Sequence, residues 1–184
     1  MKTFKRITQI LLVLLALTNL TFAKDTAKEI EHDANGALSV FYSKVHGGKD
    51  YLNRSAGYVI FPNIKEVGMF IGGKYGEGLL RVNYVTKGYY SITSASVGMQ
   101  IGAQKYSLII AFTSQKALEK FTNDDKWNTD VDFNVAMADW NNDEKLDSID
   151  LGSGMVGFVF DSTGMMGNFT MEGTRFERIT PDLD

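Results

Sequence analysis

Five glycines fall within the twenty residues from Phe61 to Leu80, FPNIKEVGMFIGGKYGEGLL: Gly68, Gly72, Gly73, Gly76 and Gly78. Between them stand Val67, Met69, Phe70, Ile71, Tyr75, Leu79 and Leu80. Glycine carries an entropic cost in a strand and is sparse there. Glycines repeated through an apolar, aromatic stretch predict tightly curved backbone, bulges, or another segment packed close against it. A chain holding such a stretch is expected to build a strongly bent sheet around it.

The first residues predict a leader. Lys2, Lys5 and Arg6 form a basic head, Ile10 to Leu17 an apolar run, and Thr21 and Ala23 supply small residues before the polar Lys24-Asp25. This is the layout of a secretory signal peptide cleaved after Ala23. The apolar run is short for a bilayer span of about 20 residues. The expected division is a leader over 1–23 and a single domain over 24–184, exported to the periplasm or outside the cell. Removing the leader takes the formal net charge from −3 to −6. An acidic mature chain argues against nucleic acid as a partner and against bulk adhesion to anionic lipid. The chain contains no cysteine, which excludes lipid anchoring through cysteine, disulfides, thiolate zinc sites and cysteine catalysis.

Along the mature chain, Ala27, Ile30, Ala34, Ala37, Leu38, Phe41 and Val45 recur at helical spacing, predicting a helix over 26–44. Asp25 or Thr26 can cap it, and Gly47-Gly48 ends it. Its polar face carries Glu29, Glu31 and Asp33 where a membrane-surface helix would carry Lys and Arg, so it is expected to pack on the core. Strands are predicted over 57–61, 67–75, 78–85, 89–92, 94–104 and 106–113, with turns at Pro62-Asn63, Gly76-Glu77 and Lys87-Gly88. Tyr106 to Thr113, YSLIIAFT, is the most apolar segment of the mature chain and is expected at the centre of the sheet. A short helix capped by Ser114 follows over 114–121, then a strand over 132–138. Segments 154–161 and 167–179 read as a closing antiparallel pair about the Ser162-Thr163-Gly164 turn. The sum is an α+β domain of two helices and seven or eight strands. Its sheet is mostly antiparallel, strongly curved and Gly-rich, or a partial barrel, with the first helix against it.

The blocks just described resemble the SYLF domain family. Phe61-Pro62-Asn63-Ile64-Lys65, Val67-Gly68 and Gly72-Gly73-Lys74-Tyr75-Gly76-Glu77-Gly78 look like the family's opening signature. Gly98, Gln100, Gly102 and Gln104 fall in a stretch similar to its second block. Ala117 to Phe121 resembles the helix after it. Ser162, Gly164, Gly167 and Met171-Glu172-Gly173 look like the C-terminal block. The blocks keep family order from about Asp25 to Arg178. The resemblance implies a non-enzymatic lipid-binding module, phosphoinositides being among the family's lipids, or an actin-binding-like protein-interaction module as in the yeast members. The chain departs from the pattern at Asp139 to Glu144, acidic where the family has a Gly-Pro and basic stretch. It also has an acid-rich first helix where phosphoinositide-binding members are basic. The lipid is therefore left unspecified.

The residues themselves point away from catalysis. His32 and His46 read as surface residues, and nucleophile-elbow, phosphate-loop and HExxH motifs are missing from the sequence. Asp139, Asn141, Asp143, Asp147 and Asp150 partly mimic a calcium loop, but Glu144 stands where the turn needs glycine. A solvated acidic loop is the plainer reading, and no cofactor or metal is expected. Candidates for lipid contact are cations beside aromatics: Lys65, Lys74 with Tyr75, Arg81 with Tyr84, Lys87 with Tyr89 and Tyr90, and Lys105 with Tyr106. The leading expectation is a lipid-binding protein of the cell envelope. A protein-interaction module is the alternative. A small outer-membrane β-barrel is a third reading, opposed by the two helices and by YSLIIAFT, which is apolar on both faces.

Overall fold

A computed structural model describes residues 24–128, 136–139, 154–163, 171 and 173–183. The expected leader, the calcium-like loop beyond Asp139, and Gly164 and Gly167 lie outside the described residues. The architecture is α+β, as the sequence predicts, with three described helices and six described strands.

Helix α1 runs Ala27–Lys44 and buries Ile30, Ala34, Ala37, Leu38 and Phe41. A capping box starts it. The Thr26 hydroxyl accepts from the Glu29 N–H at 3.3 Å, and the Glu29 carboxylate accepts from the Thr26 N–H at 2.8 Å, so two orphan donors are satisfied reciprocally. Gly47, in the left-handed region at φ 80°, closes the connection after α1 and opens a second helix, α2, Gly48–Arg54. The sequence reading has no helix there, because seven residues are too few to show a period.

Two very long strands then form one antiparallel hairpin, β1 (Gly57–Val82) and β2 (Val85–Phe112). The three predicted turns are corrected. Gly76 pairs with Ile92 and Gly88 with Leu80, both inside the ladder. Pro62 and Asn63 occupy an irregularity between the paired residues Phe61 and Ile64, a position where proline's missing N–H costs no ladder bond. The chain reverses instead at Asn83 and Tyr84, with φ of 50° and 66°. A second irregularity falls mid-hairpin, where Met69 pairs with Ile101 but Phe70 pairs with Gly98.

The hairpin folds back on itself. A methyl group built on Gly78 would lie 2.1 Å from the Ile60 carbonyl oxygen and 2.7 Å from the Phe61 ring. One on Gly76 would lie 3.2 Å from the Ile64 Cα, and one on Gly57 3.0 Å from the Arg81 carbonyl oxygen. The start of β1 therefore lies against its own end. The expected close packing at the glycines is met most tightly at Gly78, where only a residue without Cβ fits.

Strand β2 is the spine. Its Lys105–Phe112 half pairs with β5 (Met155–Thr163), and its Tyr89–Ser94 half pairs with β6 (Thr174–Ile179). The short β3 (Lys126–Asn128) adds outside β6, and β4 (Ala136–Asp139) adds outside β5 in the one parallel pairing described. The predicted pairing of the last two strands with each other is thus corrected: β2 is long enough to seat both on one edge. Tyr106 to Phe112 is buried, and Leu108 to Phe112 is paired on both sides, so the segment is central as predicted. The sheet is open, running β3-β6-β2-β5-β4 with β1 along the other edge of β2. A membrane barrel requires closure, which the described strands do not provide.

Two apolar layers result. Inside the folded hairpin, α3 (Gln115–Asn123), capped by Ser114, places Phe121 among Tyr90, Phe112, Trp127 and Phe176 at ring-centroid distances of 4.9–5.9 Å. On the outer face, α1 and α2 cover the sheet, with Phe41 5.2 Å from Phe158 and Tyr51 5.4 Å from the same ring. No described helix is long and apolar enough to cross a membrane.

Candidate functional site

The cations and tyrosines singled out in the sequence separate into three places. Arg81, Tyr84 and Lys87 stand at the turn end of the hairpin. Arg81 fastens α1 to β1: its Nη2 donates to Glu31 Oε2 and to Asn35 Oδ1, both at 2.8 Å. Glu31 also accepts from the Thr86 hydroxyl. The Arg81 side chain is only 13% exposed, so the guanidinium is committed to this joint. The exposed Tyr84 donates its hydroxyl to Asn53 Oδ1 on α2 at 2.6 Å.

Lys74 and Tyr75 lie deeper. Lys74 is buried at 5% exposure. Burial lowers its ammonium from the usual lysine range to about 8, against an opposing pull from Glu66. The Tyr75 hydroxyl donates to the buried Glu77, whose other oxygen accepts from the Asp25 N–H at 2.9 Å. Burial first, then the Glu77 contact, raises the Tyr75 hydroxyl above its ordinary range. Tyr75 and Glu77 thus tie β1 to Asp25, just before α1.

Lys65 and Lys105 remain on the surface, and the register brings them together. They are direct partners across β1 and β2, and Thr163 of β5 is the next partner in the same row. All three are exposed. Directly opposed residues of an antiparallel pair share a face, and opposed like charges there are destabilising. Among the described residues neither ammonium forms an ion pair. One row nearer the bend stand Val67, 46% exposed, and Ala103, also exposed. The next register pair at the same spacing is Met69 with Ile101, where the hairpin bends. This face therefore passes from paired cations to apolar residues over a few ångströms of strand. Thr163 and the exposed Val67–Ala103 row escaped the sequence reading; their only signal is the register, which composition does not carry.

His32 borders an open depression of about 440 Å³ at the start of α1, with Asp25, Lys28, Glu29 and Asp33. Burial, then Glu77, Glu29 and Asp33, raise the Asp25 carboxyl, with Lys65 opposing. Among the described residues no three His, Cys, Asp or Glu side chains are placed to hold a metal ion.

The described residues form a small α+β domain built on one folded hairpin. Residues 93–180 match the model of the family described as Ysc84, Las17-binding protein actin regulator, in line with the SYLF resemblance of the sequence. The matched span takes in the later part of β2, α3 and the C-terminal strands; the Gly-rich block of β1 precedes it. Comparison with curated proteins finds no match.

Proposed function

We propose that this protein is a non-enzymatic, lipid-binding protein of the cell envelope that meets lipid with the bend end of its hairpin. One observation carries the reading: the exposed Val67–Ala103 row lies directly beside exposed lysines on the same face of the sheet. Apolar side chains next to cations are what a bilayer surface accommodates, with the first entering the acyl boundary and the second staying at headgroup level. Co-sedimentation with phospholipid vesicles tests it. Binding is expected at physiological salt, weakened severalfold by Val67→Asp; failure to bind any vesicle overturns it.

The leader belongs to the same proposal. Export with cleavage after Ala23 yields a protein whose N-terminus is Lys24, and N-terminal sequencing of the protein from expressing cells reads it directly. A retained Met1 overturns export by cleavage.

The family description names a Las17-binding actin regulator, which favours a protein partner as the second reading. Capture of one specific partner in the absence of lipid, with no vesicle binding, would make it the better account.

A further inference from the structure

The row Lys65, Lys105 and Thr163 crosses three adjacent strands. Neighbouring strands lie about 4.8 Å apart, so two ammoniums and a hydroxyl share a strip about 10 Å wide. Such a row sets like charges side by side on a chain that is otherwise acidic. The nearby carboxylates do not neutralise it. Asp161, two residues from Thr163, is engaged by Lys44 at 3.4 Å, and Asp25 acts on Lys65 through its charge without an ion pair. An anion seated on the row would turn repulsion into attraction, and its oxygens would find three donors. The exposed apolar row alongside restricts which anion: a free inorganic ion has no use for Val67 and Ala103, whereas a phospholipid matches both rows.

We propose that Lys65, Lys105 and Thr163 form a site for the phosphate of an anionic phospholipid in a bilayer, with Val67 on the acyl side. The inference rests on the lipid-binding reading above and assigns its headgroup class.

The test uses protein expressed from the full sequence, its N-terminus fixed by mass, and vesicles of phosphatidylcholine with or without phosphatidylglycerol. The parent protein is expected to favour the phosphatidylglycerol vesicles by about tenfold or more, since each lysine near an anionic surface contributes separately. Lys65→Gln with Lys105→Gln should abolish that preference, and Lys49→Gln with Lys116→Gln, exposed on α2 and α3 and matched in charge, should keep it. All four altered lysines are exposed, so thermal melting should show the fold intact. A double variant that keeps the parent's preference overturns the site while the lipid reading stands. A parent that binds no vesicle removes both. A preference lost in the double variant but untouched by Val67→Asp would mean that headgroup charge alone is read, and would overturn the placing of Val67 on the acyl side.

Discussion

At Gly78 a single methyl group has no space: the Ile60 carbonyl oxygen would stand 2.1 Å away, and backbone cannot swing aside as a side chain can. Gly78→Ala is expected to destabilise the protein by at least about 2 kcal/mol, the scale of overpacking with backbone displacement. Gly36 makes the opposite case. It lies on α1 with nothing within 4 Å of its would-be Cβ, so Gly36→Ala should stabilise by about 0.5–1 kcal/mol through helix propensity. Urea melts of the two variants against the parent would show opposite signs for one chemical change. The glycines of this chain therefore do different work, and the apolar company that Gly78 keeps in the sequence is the clue to which kind it is.

Among the elements, the two longer helices, α1 and α3, are the legible ones. Thr26-x-x-Glu29 and Ser114 announce their caps, and both caps are made. Thr26→Ala should cost about 1 kcal/mol in a denaturant melt, the usual loss for an N-cap hydroxyl. The strands were harder, because Pro62, Gly76 and Gly88 carry the residue signals of turns but sit within one hairpin that absorbs them as irregularities and close contacts. The true reversal, Asn83-Tyr84, shows only half of a turn signature: asparagine tolerates φ above zero, tyrosine rarely adopts it. The site suffered from the same gap. Lys65 and Lys105 could each be picked out as cations beside apolar or aromatic residues. Their pairing depends on the position of the reversal and on the irregularities between Leu80 and Arg81 and between Met69 and Phe70. A slip of one residue would send a lysine to the opposite face.

For the molecule as a whole, stability should follow an unusual course in mild alkali. Folded Lys74 titrates at about 8 against an ordinary 10.5, so between those pH values the unfolded chain binds the additional proton and stability rises with pH. Burial raises the Tyr42 hydroxyl from 10.0 to about 12, which reverses the trend above pH 10, where the unfolded tyrosine ionises first. Lys74→Met should be more stable than the parent at pH 7 and should lose the rise between pH 8 and 10, as urea midpoints across that range would show. The spine also has a consequence for assembly. Strands β1 and β2 are separated by two residues, whereas the partners of β2's other edge begin only at Met155. A chain halted anywhere between Phe112 and Met155 would hold a finished hairpin whose second edge is bare over both stretches that β5 and β6 later occupy. Bare edges pair with whatever strand arrives, including those of sister chains. During synthesis the segment from Met155 to Ile179 therefore serves as a guard, and the molecule is at its most adhesive just before that segment is added.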